Sequence, residues 1–372
     1  MDFELTEEQR ALVDLVDQIL ADHCGNERLA ELEKEARGSG IGSVHDAQAW
    51  RALANAGAVA ALLPDDGNLG ILGLALLAEV AGKHTAYVPV VAAIGLGALP
   101  LARFGGHAEL LAEVASGAKL VTAALEEPGE PDSLITTARR DGSAYVLDGA
   151  KVMVPYGDLA DSVLIPAALD ESPALFVVPR SALKVTSLLA TGRQPYADLE
   201  LDAVTVPAEA LLVRGAEALD WLRDLGTIAY AAEASGVCTE AVAMTARYTS
   251  TRKQFGEPIA SFQAVAQRAA DAFISAEALR LCMLHAAWLL DDASRGGHSA
   301  SSAETSADVA IAKFHAGDAG SRVLHAAQHL HGGIGVDTDY PLHRYFVRGQ
   351  QIEQTLGTAT RQLLRIGAHL AE

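Results

Sequence analysis

Three short stretches of this 372-residue chain carry residue types that could grip an anionic or aromatic ligand. "TSTRKQFGEPIASFQAVAQRAAD" places Arg252, Lys253 and Phe255 in a loop between two helical periods, with Gln263 opening the second. Arginine offers a planar fork of donors and phenylalanine a flat apolar face, a pairing that suits a phosphate beside a ring. Taken alone, the loop reads first as a basic helix-end cap. "QHLHGGIGV" (328–336) sets three glycines between two helices. Without Cβ atoms its backbone N–H groups can come close to a phosphate, although a lone glycine loop is more often a helix C-cap. "EQTLGTATRQ" (353–362) turns at Gly357-Thr358 and opens a hydroxyl-rich helix that ends in Gln362. A helix start presents free N–H groups and a dipole that favour an anion.

These segments need elements to position them. From Thr6 the pattern is that of an amphipathic helix, with Thr6 and Gln9 in capping-box spacing and Leu12, Leu15, Val16, Ile19 and Leu20 on one face. The Ala/Leu-rich stretches around Trp50–Ala56 and in "LGLALLAEVAGK" extend this helical texture over residues 1–118. At Lys119 the texture changes. "KLVTAALEEP", "AYVLDGAKVMV", "DSVLIPA", "ALFVVP" and "LELDAVTVP" are short β-branched runs between Asp-Gly, Pro and Ser turns, which predicts consecutive antiparallel strands over 119–213. Long Ala-rich helical periods return over 214–372, broken by "SRGGHS" and "HGGIG". The fold class expected is α+β: an N-terminal helical domain, a middle antiparallel β-domain and a C-terminal helical bundle.

Composition narrows the function. Half of the residues are hydrophobic and a fifth are charged, as in a globular protein with a large core. The formal net charge is −20 and the longest basic run is "ARR", a poor match to nucleic acid or an anionic membrane surface. Cys24, Cys238 and Cys282 lie far apart with no CxxC spacing, which suggests reduced, buried thiols and no metal box. The acidic start "MDFELTEEQRALV" lacks the basic and apolar regions of a signal peptide, and no unbroken apolar run approaches a membrane span. The location expected is the cytoplasm.

In their order along the chain, "TRKQFGEPIASFQAV", "QHLHGGIGV…YPLHRYF" and "LGTATRQ" resemble three signature segments of the acyl-CoA dehydrogenase family of flavoproteins. "AALEEPGEPDS" and "YVLDGAKVMVPYGDLADSVLI" are similar to its two flavin-facing strands, and "ALLPDDGNLG" to its early Pro-acidic-Gly loop. The resemblance implies FAD at a dimer interface, with each site drawing residues from two subunits. Arg252, Phe255, Gln263, Gln328, Gly332 and Gly333 would hold the pyrophosphate and adenosine part of a flavin belonging largely to the neighbouring subunit. Thr358 and Gln362 would contact the adenine half of the chain's own flavin.

The same resemblance exposes a deficit. The family's reaction removes an α-proton from an acyl thioester and passes the β-hydrogen to the flavin as hydride, which requires a carboxylate base. Many members carry that glutamate immediately before the Gly-Thr pair, where this chain has Leu356, and others on the earlier helix, at a position aligned with Gly226. Asp224, Glu233 and Glu353 lie nearby in sequence as substitutes, each with an ordinary reading as a solvated or paired helix residue. The family's Thr-Glu-Pro reads Glu126-Glu127-Pro128, and its Trp-Ile-Thr/Ser reads Val152-Met153-Val154. Three readings follow: a self-sufficient homo-oligomer with a relocated base; a subunit of an α2β2 assembly lending flavin contacts to a paralogous chain that carries the base; and a family scaffold without dehydrogenation. The second is favoured, because the lent segments are intact while the chain's own are eroded. The family includes actinobacterial heterotetramers acting on CoA thioesters of steroid side chains, with an electron-transfer flavoprotein as acceptor, and "QHLHGGIGVDTDYPLHRYF" is similar to their base-lacking partners.

Overall fold

The computed structural model describes residues 4–38, 42–64, 68–129 and 134–371. Parts of "ALLPDDGNLG" and of "AALEEPGEPDS" therefore lie outside the described residues. Six helices come first: α1 (Glu7–His23), α2 (Asn26–Gly38), α3 (Ala47–Asn55), α4 (Gly70–Lys83), α5 (Leu99–Phe104) and α6 (Ala108–Ala115). The expected capping box opens α1, where Thr6 Oγ1 accepts from Gln9 N at 3.2 Å and Gln9 Oε1 accepts from Thr6 N at 2.9 Å. Leu12, Val16 and Leu20 form its buried face, whereas Leu15 is exposed. Ahead of α5 runs a π-helix, Val90–Ala98, buried along its whole length.

The strands follow: β1 (Val121–Ala123), β2 (Thr137–Asp141), β3 (Ala144–Pro155), β4 (Ser162–Leu169), β5 (Ser172–Pro179), β6 (Lys184–Leu189), β7 (Pro195–Pro207) and β8 (Leu211–Arg214). They form one eight-stranded sheet in the order β6-β7-β3-β2-β4-β5-β8, with β1 paired to β4. The expectation of a purely antiparallel sheet needs correction, because β1 and β2 both run parallel to β4. Hairpin turns are visible in a sequence as local signals; the pairing of strands separated by other strands is not. Then come α7 (Ala216–Thr251), a two-stranded ribbon of β9 (Lys253–Gln254) and β10 (Glu257–Pro258), α8 (Gln263–Ser294), α9 (Ser302–His331), α10 (Leu342–Gln354) and α11 (Ala359–Ala371).

Packing groups these elements into two compact units, Met1–Ala30 with Ile71–Ala86 and Thr227–Glu372, and Glu31–Gly70 with Tyr87–Gly226. In the first unit α4 threads into the helical bundle. A Cβ on Gly82 would lie 2.1 Å from the Glu233 carbonyl oxygen, and one on Gly236 would lie 1.8 Å from that of Glu79, so glycine is what lets α4 and α7 cross backbone to backbone. Glu79 joins the crossing with Ser235 and Arg280, at 2.6 and 2.9 Å. By length and composition alone α8 could cross a membrane, although Arg268, Asp271, Glu277 and Arg280 interrupt its apolar residues. Its Leu279, Met283, Leu284, Leu289 and Leu290 are buried in the bundle, as in a core helix. In the second unit the π-helix lies against the sheet, where a Cβ on Gly97 would come within 2.3 Å of the Val121 carbonyl oxygen.

Candidate functional site

Arg252 follows the last turn of α7, with its amide donating to the Tyr248 carbonyl and its own carbonyl accepting from Ile259 N, both at 2.8 Å. Between these anchors β9 and β10 form a two-residue hairpin whose turn positions, Phe255 (φ +55°) and Gly256 (φ +88°), are both left-handed. Such a turn matches the twist of the strands but strains a residue with a side chain. Phe255 accepts that strain and still holds its ring 94 % exposed. Gln263 opens α8 and is exposed; the residue ahead of it, Phe262, supplies no side-chain cap, and its carbonyl accepts from the amides of Val265 and Ala266, both at 3.0 Å. Arg252 is exposed as well.

The glycine loop leaves α9 at Gly332 (φ +67°). Gly332 needs its freedom for the backbone. Gly333 has an ordinary φ and nothing within 4 Å of where a Cβ would stand, so its own chain does not demand a glycine there. Both are exposed and Gln328 is half-buried. The rings of Tyr248 and His331 stack at 4.5 Å, which brings the hairpin and the glycine loop together.

The Gly-Thr elbow is built differently. Leu356 (φ +53°) and Gly357 (φ +95°) are successive left-handed residues, and both carbonyls turn inward. Gln362, fully buried, donates from Nε2 to the Leu356 carbonyl at 3.0 Å. Lys313, also fully buried, donates to the carbonyls of Ile352 (2.9 Å), Glu353 (3.2 Å) and Gly357 (3.1 Å), satisfying the acceptors that the end of α10 leaves open. One turn further along α9, Gly317 lets Ala359 approach, since a Cβ there would lie 3.1 Å from that of Ala359. Thr358 is half-buried beside these contacts.

The substitute carboxylates do not gather into a base. Glu233 forms a buried ion pair with Arg348 at 2.5 Å, with neither side chain more than 5 % exposed. Asp224 is buried on α7, and Glu353 is half-buried at the end of α10, where its carbonyl receives Lys313. Among the described residues no three His, Cys, Asp or Glu side chains converge as a metal site.

The two strand segments meet where Val152 N donates to the Glu126 carbonyl at 3.0 Å. Beside that bridge Glu127 and Lys151 form a buried ion pair, and the Glu127 carboxylate also accepts from the amides of Ile135 and Thr136. Burial alone would push the Glu127 carboxyl up, but the Lys151 ammonium and these amides hold it below the usual carboxylate range. Burial pushes the Lys151 ammonium down to about 8. Met153, left-handed at φ +51°, donates its amide to Asp198 Oδ1 at 3.0 Å. The sequence reading missed Lys151, Lys313 and His331. The available signal was a lysine or histidine set inside an apolar run, in "DGAKVMV", "VAIAKFHAG" and "QHLHGG".

Residues 214–371 match the family model for the acyl-CoA dehydrogenase C-terminal domain. Acyl-CoA dehydrogenase FadE27 of Mycobacterium tuberculosis is 39 % identical, over 100 % of this chain and 99 % of the relative. The chain belongs to the acyl-CoA dehydrogenase family. These are FAD-dependent oxidoreductases acting on acyl-CoA. Among solved structures, the ChsE4-ChsE5 complex from Mycobacterium tuberculosis has a chain superposing with a TM-score of 0.91 at 38 % identity, covering 100 % of this chain and 99 % of its own. A Tcur3481-Tcur3483 steroid ACAD variant gives 0.88 at 37 %, with 98 % of both chains covered.

The two halves of an acyl-CoA dehydrogenase flavin site fare differently here. Arg252, Phe255, Gln263, Gly332 and Gly333 fit the pyrophosphate and adenosine part of FAD, because they are exposed, carry donors or a ring face, and include two glycines with open space where a Cβ would stand. The chain's own half is less complete: Gln362 gives an Nε2 hydrogen to the Leu356 carbonyl and its Oε1 accepts from Arg365 at 3.4 Å, Leu356 offers no proton acceptor, and Glu126 sets an acid where the family segment it resembles has a hydroxyl.

Proposed function

We propose that this chain is the base-lacking subunit of a heteromeric acyl-CoA dehydrogenase, lending Arg252, Phe255, Gln263, Gln328, Gly332 and Gly333 to a flavin whose ring and catalytic carboxylate belong to a paralogous chain. The observation that carries the reading is the closed elbow: Leu356 stands at the base position, and Gln362 turns back onto the Leu356 carbonyl. A relocated base is disfavoured because Glu233 is committed to Arg348, and a bare scaffold because it would have no use for an exposed, strained Phe255.

FAD, when bound, supplies the hydride acceptor for α,β-dehydrogenation of an acyl-CoA thioester. This chain's part is to bind and orient. Arg252 would neutralise a diphosphate oxygen, Phe255 would cover an apolar edge, and the Gly332–Gly333 backbone and first turn of α8 would donate N–H groups to the anion. The α-proton would go to the partner's carboxylate. The steroid ACAD neighbour supports a steroid side-chain CoA ester as substrate, and family practice an electron-transfer flavoprotein as acceptor.

The groove between α8 and α9 supports a partner seated beside the lent residues. It encloses about 590 Å³ and is lined in part by Arg268, Ser275, Arg322 and His325, which continue the helices that carry Gln263 and Gln328. The test is expression of the chain alone and with its paralogue, reading bound flavin per chain. Alone it should hold little or none; co-expressed, the complex should carry about one flavin per heterodimer. A fully flavinated homo-oligomer with thioester dehydrogenase activity would overturn the reading.

A further inference from the structure

The residue before the glycine loop is a buried histidine whose nitrogens are both engaged. His331 ends α9 and is 3 % exposed. Its Nδ1 lies 2.8 Å from the Ala327 carbonyl oxygen one turn back, which makes Nδ1 the protonated nitrogen and leaves Nε2 as an acceptor. At 3.1 Å from Nε2 is the Tyr340 hydroxyl, which therefore donates to it. Tyr340 stands on the far side of the loop, beyond the turn in which Tyr340 N donates to Asp337 O and Asp337 N to Ile334 O. The His331–Tyr340 bond thus closes the segment from Gly332 to Asp339.

One face of the same imidazole lies nearly flat on Tyr248, at 4.5 Å and 20°. The Tyr248 ring also meets that of Tyr340 edge-on at 6.5 Å. Tyr248 is the residue whose carbonyl takes the Arg252 amide. Burial holds the His331 imidazole below its ordinary value, in spite of the Ala327 carbonyl, and pushes the Tyr340 phenol up. Both shifts keep the neutral imidazole and the protonated phenol that this bonding needs. A leucine at 331 would fill the space and tie nothing.

We propose that His331 is a positioning residue which, through Tyr248 and Tyr340, joins the Arg252–Pro258 hairpin and the Gly332–Gly333 loop into one preorganised unit for binding the flavin diphosphate. The proposal rests on the reading of this chain as a flavin-lending subunit. What it adds is the reason two segments far apart in sequence present their donors in fixed register, so that binding need not order them one at a time.

The test uses Tyr340→Phe, His331→Leu and His331→Gln, with two readouts. The first is amide hydrogen exchange in the full chain without its partner, followed over 248–260 and 328–340. The second is FAD affinity of the co-expressed complex. Tyr340→Phe removes one hydroxyl at nearly constant volume, and should quicken exchange over 328–340 and weaken FAD by about 10-fold each, the size of one lost buried hydrogen bond. His331→Leu should do at least as much and should also quicken exchange over 248–260, a segment that His331 meets at Tyr248. His331→Gln keeps an acceptor near the hydroxyl and should recover part of both losses. Exchange in the hairpin unchanged in His331→Leu would overturn the proposal, as would quickened exchange with unaltered FAD affinity, or a loss of protection spread evenly over the whole chain. Should His331→Leu fail to fold, Tyr340→Phe and His331→Gln decide. Should the complex carry no flavin, the lending reading fails, and the exchange arm still decides whether the cluster couples the two segments.

Discussion

The hairpin at Arg252–Pro258 and the elbow at Thr355–Thr358 both follow a helix with left-handed residues, yet they use that backbone in opposite ways. At the hairpin, strain at Phe255 holds a ring in solvent beside an exposed Arg252. At the elbow, Leu356 and Gly357 turn their carbonyls onto two fully buried side chains, Gln362 and Lys313. Phe255 keeps one internal ring contact, edge-on to Phe262 at 6.1 Å, and leaves the rest of its strained ring to solvent, as a surface prepared for something outside the chain does, whereas the strain at the elbow is repaid by buried hydrogen bonds. The strand segments side with the elbow, since Glu127 is spent on Lys151 and on the Ile135 and Thr136 amides.

The largest expected effect comes from Glu233→Gln. It leaves the buried Arg348 guanidinium without its counterion, and should cost about 3–5 kcal/mol of stability, measured by denaturant unfolding. Turnover of the folded complex should stay within a few-fold of wild type, because loss of a true general base would cost roughly 10²–10⁴-fold. A drop of that size at constant flavin content would return the base to this chain and erase the contrast between its two halves. The smaller changes Asp224→Asn and Glu353→Gln should likewise spare turnover.

Arg252→Ala should show the reverse pattern. In the complex it should weaken FAD by about 1.5–3 kcal/mol, read as flavin retained at limiting FAD, while the stability of the chain alone moves by less than about 0.5 kcal/mol. An unchanged flavin ratio would reduce Arg252 to a helix cap and leave Phe255 as the hairpin's only link to a ligand.

What was legible in advance divides along the same line. The order of helices, sheet and helices could be read, because hydrophobic periodicity and turn residues are local signals. Arg252, Phe255 and Gln263 stood out because they lie within twelve residues of one another, on one loop and the start of the helix after it, although the flavin role came to them only from the family resemblance. The parallel pairing of β1 and β2 with β4 could not, nor could α4 threading into the bundle, because both depend on which distant segment supplies the partner. The same holds for Gln362. As a residue type it suits an adenine contact, and only the geometry of the elbow shows its Nε2 donating to the Leu356 carbonyl. Lys151 and Lys313 were not singled out, because their acceptors lie 24 and about 40 residues away.

The smallest effect tests whether the strand segments belong with the elbow as architecture. Glu127 has its folded carboxyl below the ordinary value of 4.5, so between the two values the unfolded chain binds a proton that the folded chain does not. Stability must then rise with pH across that interval. The contribution of Glu127 is therefore complete above the ordinary carboxylate value and is lost as the pH falls through the depressed one. Unfolding midpoints followed from neutral pH into the acid range should decline for the wild-type chain, and the Glu127→Gln variant, which lacks this titration, should start lower and decline less. If Glu127 instead stood free to meet a ligand, its carboxyl would titrate near the ordinary value and the two acid limbs would run parallel. Parallel limbs would separate the strand segments from the elbow and reopen them as part of a flavin site that this chain keeps for itself.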